Sequence, residues 1–350
     1  MFSLVYHSPC TYLPQNGING LLLSHICAVV LDKEQYSRHN AYMTDGKQHL
    51  RISVQNTTCF VRSYAKINLT LDVLGKRADG YHELATIMQM VDLYDTLCLT
   101  TLAEDRVSIV STQPELNNDN NLAVRAAQAV RQHLSLAQGV QIELHKRIPM
   151  AAGLGGGSSN AAAILLALRQ WWQLPLSAEE MLSLAASLGS DVPFFLTEGL
   201  ALCEGRGERL TPLPTYWPPS LRWLLLVKPT IGVSTATVFR NLPASDYTDG
   251  VHTRAVYTVL LAKGEPFPED MRNGLERGVL EHYPQVAQAR EDILKAGASF
   301  VRLSGSGPTF FAPFSELARA SQAQQCLHDQ GYQVHLTRAI HPNSGNVCIF

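Results

Sequence analysis

The chain has 350 residues, 46% hydrophobic and 17% charged, a balance that supports a buried core and argues against a disordered chain. Lys plus Arg number 28 and Asp plus Glu 30, so the formal net charge of -2 argues against a general nucleic-acid binder, and an anionic ligand must be held by local geometry. The seven scattered cysteines form no C-x-x-C pair, which speaks against a zinc site or disulfide framework and for a reducing cytoplasm, and no apolar run reaches the length of a membrane span.

Residues 1–58 mix turn formers, the short apolar run Gly20–Leu31 and polar pieces without sustained periodicity. They read as an N-terminal extension, disordered or a mis-called start. A transit peptide, a private extension and initiation at Met43 are the three readings. Initiation at Met43 is preferred, because Met43 lies shortly before a domain start and the segment is not clearly Ser- and Arg-rich and acid-poor. From Cys59 the signals sharpen. Phe60–Leu74 and Val91–Thr101 read as strands, Asn120–Leu134 as a helix behind an Asn/Asp start signal, and Val140–His145 as a strand. A glycine-rich loop at Ala152–Gly157 leads into a helix opening at Ser158 and Ser159. Ser177-Ala-Glu-Glu180 is a capping box ahead of another helix, and Gly199–Glu204 reads as a strand. The four prolines of Pro212–Pro219 mark a connection to a second lobe. That lobe has a strand at Trp223–Lys228, helices near Thr253–Leu261, Val286–Ala296 and Glu316–Leu327, strands flanking Ser304–Gly307, and a last strand at Gln333–Thr337. Strands and helices intersperse without even alternation, so the expectation is an α+β fold of two lobes, 59–211 and 220–341.

The strongest chemical signal is Pro149-Met-Ala-Ala-Gly-Leu-Gly-Gly-Gly-Ser-Ser159. Gly153, Gly155, Gly156 and Gly157 allow close backbone approach and positive φ, at an entropic cost too high for a plain turn. The serines then open a helix. Free N–H groups at the positive end of a helix dipole suit a polyphosphate, and Ser158 and Ser159 can add hydroxyl contacts to phosphate or magnesium. No Gly-Lys-Ser/Thr follows, so the loop is not a Walker A motif, nor does it carry a dinucleotide fingerprint. Asp191, in Gly189-Ser-Asp-Val-Pro193, is either a turn aspartate or a carboxylate that accepts a hydroxyl proton. Lys66 lies inside an apolar strand, either snorkelling or functional, with Asn68 on the same face.

The run Pro-x-x-x-Gly-Leu-Gly-Gly-Gly-Ser-Ser resembles the ATP-binding loop of GHMP kinases. Two further segments fit that family, Ala65-Lys-Ile-Asn-Leu69 and Leu303-Ser-Gly-Ser-Gly-Pro308. Within it, Arg77-Ala-Asp-Gly-Tyr-His82 and Leu188-Gly-Ser-Asp-Val-Pro-Phe-Phe195 resemble the branch whose acceptor alcohol carries a cytidine diphosphate. The resemblance implies an N-terminal lobe like ribosomal protein S5 domain 2, a ferredoxin-like C-terminal lobe, and a site in the cleft between them. It implies ATP and Mg2+ as cofactors, with no dedicated metal ligands. ATP would lie on Pro149, Met150, Ala151, Ala152, Gly153, Leu154, Gly155, Gly156, Gly157, Ser158 and Ser159. Lys66 and Asp191 would be catalytic. Asn68, Tyr81, His82, Thr235, Phe239, Gly305 and Ser306 would bind the substrate, with Tyr81 and Phe239 stacking on cytosine and His82 hydrogen-bonding its edge. The expected partners are small molecules, not nucleic acid or membrane, for a monomer or homodimer.

Where GHMP loops commonly have glycine, this chain has Ala151 and Ala152, tolerable if their φ values are negative, and Pro308 removes a donor from the second loop. The alternatives are another GHMP kinase of homoserine or mevalonate type, a non-catalytic nucleotide-binding sensor of the same fold, and the ATP-dependent decarboxylase branch. Tyr81, His82 and Phe239 disfavour an acceptor without a base, and Lys66 with Asp191 disfavours the sensor.

Overall fold

The computed structural model describes residues 58–197, 199–214, 216–340 and 347–349. The expectations for residues 1–57, initiation at Met43 among them, lie outside the described residues. The architecture is α+β, built on two sheets.

The first sheet runs in the order β11-β1-β2-β4-β3, with β5 on the far half of β2 and β6 beside β5. Its strands are β1 (Thr58–Lys76), β2 (His82–Leu102), β3 (Val107–Ser111), β4 (Gly139–His145), β5 (Leu200–Gly205), β6 (Arg209–Pro212) and β11 (Val347–Ile349). Only β3 and β4 pair in parallel. Strand β2 begins nine residues before the expected Val91, because its first half is paired on both sides, by β1 and by β5. Sequence periodicity does not register that support, and a strand of this length is unusual. Three register shifts, at Tyr64/Ala65, Asn68/Thr70 and Val73/Gly75, bend β1 along its length. Irregularities of this kind re-aim side chains beside functional sites.

Helices α1 (Leu122–His133), α2 (Gly156–Trp171) and α3 (Ala178–Leu188) cover one face of this sheet. The Asn121 side chain accepts from the Ala123 N–H and starts α1, and Ala123, Val124, Ala126, Ala127 and Val130 form its buried stripe. Ser177 and Glu180 form the expected reciprocal capping box of α3. The Ser177 N–H, and next its hydroxyl, hold the Glu180 carboxyl down to about 2.

The second sheet is antiparallel, ordered β10-β7-β9-β8, with β7 (Trp223–Lys228), β8 (Arg302–Leu303), β9 (Phe310–Phe314) and β10 (Gln333–Thr337). Helices α7 (Pro284–Lys295) and α8 (Leu317–Asp329) pack on it, as the ferredoxin-like lobe requires. Between β7 and α7 come α4 (Thr235–Arg240), α5 (Val251–Leu261) and α6 (Glu276–His282). Two of these, α4 and α6, are too short for the periodicity of 3.6 to register in sequence.

Strand β1 is where the lobes meet. Ala65, Ile67 and Leu69 share a core with Leu224, Leu226, Val256 and Phe311, whereas Leu71 and Val73 enter the core of the second sheet. Every residue from Ser63 to Val73 is consequently buried, including the polar Lys66, Asn68, Thr70 and Asp72. Buried polar groups persist only when satisfied. Here they form a ladder: Lys66 donates to Asn68, Asn68 to Thr86, Thr70 meets Thr253, and Asp72 accepts from Thr248 and from the Thr253 N–H.

Candidate active site

A cavity of about 1150 Å³ opens between the sheets, above the roughly 300–1,000 Å³ usual for one small ligand. Its wall includes Lys66 and Asp191, the loop from Pro149 to Ser158, and Asn68, Tyr81, His82, Thr235, Phe239, Gly305 and Ser306. The fold thus gathers nearly every predicted residue from six separate stretches of chain. Ser159 is the exception. It is buried in α2, its N–H bonded to the Gly155 carbonyl, and forms no part of the wall.

The loop behaves as a bare strip of backbone. Gly153 and Gly155 take φ of 71° and 69°, and Gly155 is the left-handed cap from which α2 starts at Gly156, two residues before the expected Ser158. Gly156 and Gly157 are therefore helical, and Gly156 serves close approach instead: a Cβ there would stand 3.0 Å from Ile148 Cγ2 and 3.2 Å from Lys146 Nζ. Among the described residues, nothing accepts a hydrogen bond from the N–H groups of Gly153 through Ser158. Unpartnered amides at a helix N-terminus form an anion site. Ala151 has φ 48°, in the left-handed region, so the condition of a negative φ at that residue is not met. An alanine there carries a strain of roughly 1–2 kcal/mol.

The second loop docks on the first. A Cβ on Gly153 would lie 2.1 Å from the Ser304 carbonyl oxygen, and Ser304 Oγ donates to the Gly153 carbonyl at 3.0 Å. Asn273, which sequence reasoning missed, donates to the carbonyls of Leu303 and Gly305 at 2.8 Å and fixes this loop from behind. Ser306 Oγ lies 2.7 Å from Thr235 Oγ1, joining the loop to α4.

At the centre, Lys66 Nζ is 3.6 Å from Asp191 Oδ2 and donates to Asn68 Oδ1 at 2.6 Å. The lysine side chain is 4% exposed and the aspartate 32%, so the cation is fixed while the carboxylate faces the cavity. Asn68 is held in turn by Thr86 at 2.9 Å, a second residue missed from sequence. Asp191 does lie in a turn, just ahead of the 3-10 turn Pro193–Leu196 that Val192 caps, and its carboxylate lines the cavity as well.

At one end of the cavity, Tyr81 is 55% exposed beside Gly80, whose φ of 86° closes the turn between β1 and β2. The Arg206 guanidinium lies 5.0 Å over the Tyr81 ring. His82 and Phe239 have ring centroids 5.2 Å apart, and Tyr247 Oη sits 3.3 Å from His82 Nε2. Phe239 lines the cavity and also packs against the core of the second lobe. Burial, and next the charge of Lys76, lower the pKa of His82 and favour its neutral ring. Arg206 and Tyr247 are further cavity residues that sequence reasoning missed, since neither sits in the motifs that carry the resemblance.

At the other end, behind the glycine loop, Asp95 is wholly buried. It pairs with Lys146, accepts from the N–H groups of Arg147 and Ile148 at 2.7 and 2.8 Å, and is bonded by Asn160 of α2 at 2.9 Å. This cluster ties β4 and the chain entering the loop to the helix leaving it. Among the described residues no group of three or more His, Cys, Asp or Glu could hold a metal ion, Cys98, Cys203 and Cys326 are free thiols, and no helix is long and apolar enough to cross a membrane.

Two lobes of these kinds, meeting at a bare glycine-rich strip and an acid–lysine pair, define a GHMP kinase. The GHMP kinases N terminal domain matches residues 121–199, and the GHMP kinases C terminal domain residues 260–333. The 4-diphosphocytidyl-2-C-methyl-D-erythritol kinase of Alkaliphilus metalliredigens is 40% identical over 283 residues, covering 80% of this chain and 96% of that protein. The protein of the same name from Geobacillus kaustophilus is 42% identical over 285 residues, with the same coverage. A crystal structure of 4-(cytidine 5'-diphospho)-2C-methyl-D-erythritol kinase superposes with a TM-score of 0.67 at 33% identity, over 80% of this chain and 99% of that one. Homoserine kinase from Cytophaga hutchinsonii, at 19% identity and a TM-score of 0.60 over 89% of this chain and 100% of that one, shares the fold. The chain belongs to the 4-diphosphocytidyl-2-C-methyl-D-erythritol kinase family.

Proposed function

We propose that this chain transfers the γ-phosphoryl group of ATP to the 2-hydroxyl of 4-diphosphocytidyl-2-C-methyl-D-erythritol, a step of the non-mevalonate route to isoprenoid precursors. The observation that carries the reading is the Lys66–Asp191 pair at 3.6 Å, set between the unpartnered amides of Gly153–Ser158 and the aromatic cluster of Tyr81, His82 and Phe239. An alcohol joined to a base needs all three in that order, whereas homoserine or mevalonate would leave the aromatic end without a ligand.

The triphosphate lies on the amides of Gly153 to Ser158, and those of Gly305 and Ser306, equally without partners among the described residues, close over it from the second lobe. Asp191 accepts the proton of the substrate hydroxyl as its oxygen attacks the γ-phosphorus in line, and the bond from that phosphorus to the β–γ bridging oxygen breaks to release ADP. Lys66, oriented by Asn68, holds the hydroxyl and offsets negative charge on the transferring group. Most of the acceleration is positioning and electrostatics, with no covalent intermediate on the protein.

Magnesium arrives on the nucleotide. The Ser158 hydroxyl and the partly exposed Asp191 carboxylate, both in the cavity wall, would be the protein's oxygen donors to it. Bound there it would neutralise charge on the β- and γ-phosphates.

The test is a substrate panel with purified protein and MgATP, read by ADP release and product mass. Turnover with the cytidyl substrate and none with homoserine or mevalonate is the expected result; the reverse pattern overturns the assignment.

A further inference from the structure

The turn between β5 and β6 places a cation at the midpoint of the acceptor's path. Gly207 lies against the reacting end: a Cβ there would be 3.7 Å from Asp191 Oδ1. Its neighbour Arg206 reaches the other way, to the ring of Tyr81 at 5.0 Å. The diphosphate that joins the nucleoside to the polyol has to pass between these two contacts. Resting on the reading above, the geometry points to Arg206 as a specificity-determining residue that binds the substrate's diphosphate while bracing Tyr81 for stacking.

Three observations support it. The guanidinium has no hydrogen-bond acceptor among the described residues, although its side chain is only 31% exposed and lines the cavity. Its ion pair is loose: Glu208 meets Nε at 3.8 Å, and that carboxylate is itself held by the Arg206 N–H at 2.6 Å, leaving the paired Nη donors unused. A planar fork of N–H donors over an aromatic ring is pre-organised for bidentate contact with phosphate oxygens. Of the other cations in the wall, Lys76 and Arg240 are not stacked on the Tyr81 ring, and the remaining two are already engaged. Lys66 is committed to Asn68 and Asp191, and Lys146 is buried against Asp95.

The contact is separable from the stacking by ligand fragments. Cytidine carries the base alone, and CDP adds the diphosphate. In wild-type protein both should compete with the acceptor substrate, CDP more tightly. Arg206→Gln should weaken CDP inhibition about tenfold or more, the loss expected for a charged hydrogen bond, and leave cytidine within about twofold. Arg206→Lys, which keeps the charge without the fork, should recover part of the loss. The KM for the acceptor should rise with that for ATP unchanged. Equal weakening of cytidine and CDP would reduce Arg206 to a prop for Tyr81, and no change in either removes it from the site; both outcomes overturn the proposal. If wild-type protein binds neither fragment and ignores the cytidyl substrate, the functional reading fails first and the proposal with it.

Discussion

The two ends of the cavity are made of different material. The end on the glycine loop is backbone: amides of Gly153 to Ser158 and of Gly305 and Ser306, set by positive φ, by a carbonyl–serine contact between the loops, and by the buried Asp95–Lys146 cluster beneath. The acceptor end is side chain: Tyr81, His82, Phe239, Tyr247 and Arg206, contributed by both lobes and partly open to solvent. A triphosphate is the same in every member of such a family, and a fixed strip of amides recognises it without needing any particular side chain. The acceptor is what distinguishes one member from another, and on the reading proposed above replaceable side chains on a turn and a short helix do the distinguishing. Between them stands the Lys66–Asp191 pair, which on the proposed reading serves both ends.

This division can be broken experimentally. The largest effect is expected at the shared centre: Asp191→Asn should lower kcat by about 10²–10⁴-fold, the usual worth of a positioned acid or base. Single-turnover assays beside ATP-binding titration check it; an equal loss in nucleotide affinity would make Asp191 structural. Next comes a pair of glycine substitutions. Gly153→Ala and Gly80→Ala both force alanine to a positive φ, but the first also drives a Cβ to 2.1 Å from the Ser304 carbonyl while the second meets nothing within 4 Å. Gly80→Ala should cost roughly 1–2 kcal/mol in urea denaturation. Gly153→Ala should cost more and also abolish measurable ATP binding, so similar losses would show that the two loops part easily.

At the acceptor end, Tyr81→Ala removes a stacking surface worth about 1–3 kcal/mol, and should raise the KM of the cytidyl substrate about 5- to 100-fold with the ATP KM unchanged. A shift in both KM values would erase the division between the ends. Acidification acts on the same end. His82 has its pKa lowered below the ordinary 6.5 by burial and by Lys76, so the unfolded chain binds its proton more readily than the folded one. This group's contribution is intact above the unfolded value and is lost as pH falls through the folded one. Protonation also removes the ring's acceptor nitrogen, so the acceptor KM should rise as pH falls below the ordinary 6.5, and His82→Gln should flatten that limb of the profile. The smallest effect is expected at Ala151, where glycine relieves a left-handed φ of 48°: Ala151→Gly should raise stability by about 0.5–1 kcal/mol, the relief of strain less the entropy of glycine.

The site was legible in proportion to how local its chemistry is. The glycine loop, the capping box of Ser177 and Glu180, and the lysine in an apolar strand stand out because a single stretch of chain carries each signal. Asn273, Thr86, Arg206 and Tyr247 did not, since asparagine, threonine, arginine and tyrosine are ordinary in sequence. They acquire meaning only from partners 18 to 165 residues away or from the cavity they face. The first half of β2 was missed for the same reason, its strand character coming from β1 and β5 on either side.

The sequence by itself determined the glycine-rich loop, its helix starts and the α+β class, because glycine spacing, cap residues and periodicity act within a few positions of chain, and resemblance to the family named most of the residues that line the cavity. Only the tertiary structure decided that Lys66 and Asp191, 125 positions apart, lie 3.6 Å from each other, and that Ser159 turns inward while Arg206 turns toward Tyr81. Those outcomes depend on which strands pair and how two lobes close over β1, a balance of burial and hydrogen bonding summed over the whole core.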